Sequence, residues 1–173
     1  MSPGWTVFGS NVAWAEIELL GNPALFKAIL ADDATQVKLL LADGESPEQR
    51  IPDGRTAFMY AMAESRLEMA EILLQSRIDI NARDEQGNSA LHIVVRNQDS
   101  VAVAFLLDLG IAIDAHNKEG ATALMQAASL GHQGITRQLL QAGADTKLTD
   151  YTGRTARDWA LRGRGRNLAN LLR

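Results

Sequence analysis

Three histidines, at positions 92, 116 and 132, are the side chains best suited to proton transfer or metal binding near neutral pH. A helical metal pair needs a second ligand three or four residues along, on the same face. His92 meets Arg96 at that spacing and His132 meets Thr136, so neither has one. The chain has no cysteine, which removes thiolate nucleophiles, disulfides and Cys-ligated metals. It has no nucleophile elbow, phosphate loop or dinucleotide fingerprint. The stretch Arg162-Gly163-Arg164-Gly165 holds a lone G-x-G without a preceding strand or a later glycine. Asp79, Asp145 and the other carboxylates are scattered, and no two are spaced to share a proton. The expectation is a protein without catalytic residues, cofactor or metal.

The regularity lies elsewhere, in a period. Gly54, Gly87, Gly120 and Gly153 stand 33 residues apart, each followed two residues later by Thr56, Ser89, Thr122 or Thr155. Leucine pairs at 40–41, 73–74, 106–107 and 139–140 keep the same step, and Leu171-Leu172 arrives one residue early. Such a period marks a stacked-repeat solenoid. The pattern, G-x-T-A-L-x-x-A-A near the start of a unit and L-L-x-x-G-A-D near its end, resembles the ankyrin repeat. The resemblance implies an all-α array of helix-turn-helix units with short projecting β-hairpin-like fingers. Five repeats are expected, at about 21–50, 51–83, 84–116, 117–149 and 150–173, forming a stand-alone array with no room for a second domain.

The lead segment, residues 1–20, falls outside the period. Its Trp5, Phe8 and Trp14 argue against a floppy tail: Trp14, Ile17 and Leu20 suit a cap over the first repeat, with a partner-binding arm carried by Trp5 and Phe8 as the alternative. Ala13-Trp14-Ala15 has the small-x-small form of a signal cleavage site, but no basic start precedes it. Within the repeats, the hydroxyls at 56, 89, 122 and 155 are placed to cap first helices. His92 stands in the tetrapeptide Ser89-Ala90-Leu91-His92, where the resemblance implies an imidazole bonded to nearby backbone. Leu106 is assigned to the core. Val94, Val95, Val101 and Val103 mark the third repeat as the most buried. Departures from the pattern raise specific questions. Asp32, Ser65, Gln98 and Arg164 stand where Gly131 stands, which puts a left-handed turn there in doubt. Arg77 replaces a helix-ending glycine, so that end is strained or differently closed. Gln138 places a polar group among apolar positions.

If helix pairs form the body, fingers and inner helices line a concave surface whose residues are free to vary. The candidate partner-binding set is Arg83, Glu85, Asn88, Arg96, Asn97, His116, Lys118, Leu130, Tyr151 and Arg154. Arg and Tyr are favoured anchors, Leu130 reads as an apolar patch beside them, and His116 should be exposed. The expected function is binding of another protein, as adaptor or as a stoichiometric, immunity-type inhibitor, by a chain that is monomeric when free. The alternative is an anionic polymer or membrane surface held by the basic end, where Lys147, Arg154, Arg157, Arg162, Arg164, Arg166 and Arg173 face only Asp150 and Asp158. Nucleic acid is disfavoured because no aromatics interleave with these charges. A formal charge of −4 names no partner class. No apolar run approaches the ~20 residues of a membrane span. Lack of cysteine fits a cytoplasmic setting, with an exported one, its signal absent from this chain, as the alternative.

Overall fold

The computed structural model describes residues 23–172. The lead segment, with its expected capping role, lies outside the described residues. The described chain folds as helix pairs: α1 (Ala24–Leu30) with α2 (Ala34–Ala42), α3 (Ala57–Ala63) with α4 (Leu67–Leu74), α5 (Ala90–Arg96) with α6 (Ser100–Asp108), and α7 (Ala123–Leu130) with α8 (Gln133–Gln141). The fifth unit opens with α9 (Ala156–Arg162) but continues only as a 3-10 turn, Arg166–Leu168, where a second helix was expected. The first helices stack α1–α3–α5–α7–α9 in an inner row, and the second helices stand behind them. This is the all-α repeat solenoid that the period implies.

Local chemistry starts α3, α7 and α9 at the expected hydroxyls. Thr56 Oγ1 accepts from the Met59 amide (3.3 Å) and Thr122 Oγ1 from the Met125 amide (3.3 Å). Thr155 and Asp158 form a reciprocal box, the Asp158 carboxylate accepting from the Thr155 amide (2.9 Å) and hydroxyl (2.7 Å). Between paired helices the left-handed turn survives without glycine. Asp32, Ser65 and Gln98 take φ of 58°, 55° and 59°, beside 78° at Gly131. Each such turn directs the next amide back to a carbonyl in the inner helix: Asp33 to Ala28, Arg66 to Ala61, Asp99 to Val94 and His132 to Ala127, at 2.8 to 3.0 Å. Those bonds satisfy helix-end carbonyls and offset the roughly 1–2 kcal/mol that a side chain loses at positive φ. Arg164 does not join them; α9 ends instead in extended Gly163 (φ −94°, ψ −155°). Arg77 also stays out of the left-handed region that Gly44, Gly110 and Gly143 occupy. α4 is closed by short bonds, Gln75 N–H to Ile72 and Ser76 N–H to Leu73, rather than strained.

The core is a ribbon of small and branched side chains along the seam. Ala57, Ala90, Ala123 and Ala156 open the inner helices and are buried, as are Ala61, Val94, Ala127 and Ala160 one turn on. Small residues at these positions let neighbouring inner helices approach closely. On the second helices, Leu73, Leu106 and Leu139 are fully buried, while their partners Leu74, Leu107 and Leu140 are half-buried. The fifth unit keeps the phase after all: Leu172, 33 residues beyond Leu139, is buried, and Leu171 is the exposed one. Val101 corrects the expectation for the third repeat. It is 64% exposed on the outer face of α6, while Val94, Val95 and Val103 are buried. Gln138 is accommodated by donating to the Ser100 carbonyl of the preceding unit (3.1 Å).

The fingers are turns rather than hairpins. Among the described residues, only isolated bridges form, Arg50 with Thr56 and Thr149 with Thr155. A side-chain oxygen shapes each turn: Asp84 accepts from the Gln86 and Asn88 amides, Asn117 from Glu119 and Ala121, and Asp150 from Thr152 and Arg154. Successive fingers are tied backbone to backbone, Glu85 N–H to Asp53 O and Lys118 N–H to Gln86 O, both 2.9 Å. This approach explains the 33-residue glycines. A Cβ on Gly54, Gly87 or Gly120 would stand 2.7, 2.9 or 2.6 Å from the amide nitrogen of the next finger, and each already has positive φ. The glycine therefore serves the neighbouring repeat as well as its own turn.

Candidate partner-binding groove

Fingers and inner-helix ends enclose an open trough across the second, third and fourth units. It comprises two clefts of about 680 and 350 Å³ that share Gln86 and Arg96. The finger side supplies Asp53, Arg55, Asp84, Glu85, Lys118 and Glu119; the helix side supplies Glu64, Arg96, Asn97 and Gln126. Arg96 ends α5 at the junction of the two clefts. It is exposed, and its guanidinium has no hydrogen-bond or ion-pair partner among the described residues. Arg55 is committed, pairing with Asp53 (2.6 Å) and lying 5.3 Å over the Tyr60 ring. Burial, then the nearby Glu64 carboxylate, pushes the Tyr60 phenol up to about 12, so it stays neutral.

The structure divides the candidate residues. Glu85, Arg96, Asn97 and Lys118 are exposed along the trough. Asn97 also donates to the Ala63 carbonyl of the preceding repeat (2.9 Å), stitching two helix ends. Asn88 requires correction: it is only 3% exposed. Its side chain donates to Asp84 (3.1 Å) and accepts from Asn117 (3.1 Å), so it ties two fingers together rather than meeting solvent. Arg83 and His116 do not line these clefts. The Arg83 guanidinium donates to the His116 carbonyl, as Arg50 donates to the Arg83 carbonyl (2.7 Å), each reaching the residue 33 positions on. His116 is half-buried, not exposed, and its carbonyl takes part in this ladder. Leu130 is likewise half-buried, its side chain partly sheltered rather than presented as a patch.

Tyr151 is 76% exposed at the last finger, its ring lying against Gly120. Arg154 is held beneath it in a closed network. The Asp150 carboxylate, in a residue only 3% exposed, accepts from Arg154 Nε (2.8 Å) and Nη2 (2.7 Å), Thr152 Oγ1 (2.7 Å) and Trp159 Nε1 (2.9 Å). Burial alone would raise the Asp150 pKa, but donation from Arg154, Thr152 and Trp159 outweighs it and holds the acid well below the usual carboxylate range. Arg154 lies 5.3 Å over the Trp159 ring, matching Arg55 over Tyr60 three repeats earlier. Gln126 escaped the sequence reading. It stands at the position that carries Lys27, Tyr60, Ile93 and Trp159 in the other units, and that five-way variety was the signal.

His92 is fully buried and bridges two repeats. Its Nδ1 accepts from the Ser89 amide (3.3 Å) and lies 2.9 Å from the Ser89 hydroxyl, while Nε2 lies 3.0 Å from the Ala121 carbonyl. A carbonyl can only accept, so the proton sits on Nε2 and the ring is neutral. Burial lowers its pKa to about 4. Burial and Arg164 also lower that of His132. Among the described residues no group of three or more His, Asp or Glu could hold a metal ion. No described helix is long and apolar enough to cross a membrane.

Paired helices, stacked inner rows and turn fingers closed by Asx side chains define a repeat-solenoid scaffold with an open trough between its fingers and inner-helix ends. Two family models agree on which scaffold: ankyrin repeats (3 copies) match residues 91–173, and ankyrin repeats (many copies) match residues 57–107. The chain belongs to the ankyrin-repeat family. It is 33% identical over 138 residues to the ankyrin repeat and KH domain-containing protein mask-1 of Caenorhabditis elegans, covering 79% of this chain and 5% of that protein. It is 32% identical over 108 residues to neurogenic locus notch homolog protein 1 of Xenopus laevis, covering 62% of this chain and 4% of that protein. The chain thus spans a small part of the length of these relatives. As an ankyrin-repeat array it is a protein–protein interaction module, of a family that is typically non-catalytic.

Proposed function

We propose that this chain binds one partner protein along the trough between its fingers and inner helices, as an adaptor or a stoichiometric inhibitor and without chemistry of its own. The observation that carries this reading is Arg96, an exposed and uncommitted guanidinium at the junction of the two clefts. Beside it Arg55 and Asn88 are spent on internal bonds, and so is Arg154 in the fifth unit. Arg83 serves the finger ladder. Maintaining the fold therefore does not require Arg96, and binding is the use that remains for it. Tyr151 supplies an aromatic edge one finger beyond, and arginine and tyrosine are the residue types that dominate binding hot spots. Glu64, Glu85 and Glu119 flank Arg96 and Lys118, so the partner's matching surface carries both signs.

The test is affinity capture followed by calorimetric titration of the captured partner. Arg96→Ala and Tyr151→Ala should each weaken binding by about 1–3 kcal/mol, roughly 5- to 150-fold, with unchanged circular dichroism. Unchanged affinity in both variants would move the site off the trough. The ratio at saturation and light scattering of the free chain test the stoichiometric, monomeric part of the reading.

A further inference from the structure

We propose that the closing repeat carries a second, separate site: an anion-binding face made by Arg162, Arg164 and Arg166 that takes a carboxylate-rich segment of a protein. The link from Arg162, which ends α9, through Arg164 to Arg166, which opens the 3-10 turn, is pressed flat on the end of α7. A Cβ on Gly163 would stand 2.2 Å from the Ser129 carbonyl oxygen, and one on Gly165 would stand 1.8 Å from the Ala128 carbonyl oxygen. Glycine is required at both positions, and the Arg164 amide between them donates to the Ser129 carbonyl (2.7 Å). The backbone thus caps α7, a task that arginine side chains often perform at helix ends. The three guanidiniums are left over.

All three side chains are exposed, and none has a hydrogen-bond or ion-pair partner among the described residues. The acids nearest in sequence are already engaged. Asp150 is saturated by Arg154, Thr152 and Trp159, and Asp158, though it also attracts Arg162 through space, is hydrogen-bonded by the Thr155 amide and hydroxyl. Three like charges within five residues, from the end of α9 to the start of the 3-10 turn, repel one another, and an arriving anion relieves that repulsion. Arg162 also borders a cleft of about 190 Å³ with Ser129, Arg154 and Trp159, large enough for one oxyanion group.

The chemistry selects among anions. All three cations are arginines, whose planar fork pairs two-to-two with a carboxylate. A long polyanion would meet a chain of net charge −4 and no row of aromatics to stack its bases. Short acidic protein segments meet neither obstacle.

The experiment is fluorescence anisotropy of a labelled hexaglutamate peptide titrated with the full chain at about 50 mM salt, where surface charges are weakly screened. Binding to wild type should weaken tenfold or more in Arg162→Gln/Arg164→Gln. Arg137→Gln, which removes an exposed arginine from α8, should leave it unchanged. Thermal melts matching wild type would establish that both variants fold. Absence of binding to wild type, or equal loss in the α8 variant, overturns the proposal. So does tighter binding of oligothymidylate or phosphatidylserine vesicles than of hexaglutamate, since the face would then be a polyanion or lipid site. Arg96 lies outside this face, so failure here leaves the trough reading standing.

Discussion

Acidification offers a direct measure of how tightly two repeats are joined through His92. The ring is buried and neutral, accepting at Nδ1 and donating from Nε2 to the Ala121 carbonyl of the next repeat. Its pKa is lowered from 6.5 to about 4, chiefly by burial. Below pH 6.5 the unfolded chain takes up a proton that the folded chain refuses. Stability contributed by this group is therefore intact above pH 6.5, declines as pH falls, and levels off below about pH 4. At about 1.4 kcal/mol per pH unit, a gap from 6.5 to about 4 amounts to about 3 kcal/mol, most of it already lost at pH 4.5. The window is favourable, because Asp150 and Asp158, whose pKa values are depressed, begin to withdraw their contributions only below 3.8. Urea unfolding followed by circular dichroism at pH 7.5, 6.0, 5.0 and 4.5 reads the loss. His92→Gln cannot titrate, and its stability, lower at neutral pH, should vary less over the same range. His132 is present in both proteins and cancels in the comparison. Identical pH slopes for wild type and His92→Gln would refute the assignment of a buried neutral imidazole.

Three further outcomes follow from the packing. Leu106→Ala should destabilise by roughly 2–5 kcal/mol in chemical denaturation, because the leucine is fully buried in the seam; a melt matching wild type would contradict that burial. Gly120→Ala should cost clearly more than Gly143→Ala in the same assay. Both have positive φ, worth about 1 kcal/mol, but only the first drives a methyl to 2.6 Å from the next finger's amide. Equal losses would mean that fingers do not meet at the glycine. Asp150→Ala should lower stability by roughly 1–3 kcal/mol by leaving the Trp159 indole N–H and part of the Arg154 guanidinium without acceptors, and should blunt the acid transition below pH 3.8.

The 33-residue step of glycine, hydroxyl and leucine determined the repeat, its helix pairs and the family, because each unit is built from contacts local enough to be written in one stretch of chain. Capping by Thr56, Thr122 and Thr155 was legible for the same reason: donor and acceptor lie three residues apart. Left-handed turns at Asp32, Ser65 and Gln98 were not, since propensity argues against them and only bonding back to the inner helix holds them. Which polar residues line the trough was not legible residue by residue. A polar side chain at a finger or an inner-helix end looks the same in sequence whether it meets water, like Arg96, or is spent on internal bonds, like Asn88, Arg83 and Arg154. Which of the two it does depends on where the neighbouring unit's carbonyls and carboxylates lie, and stacking alone sets those positions.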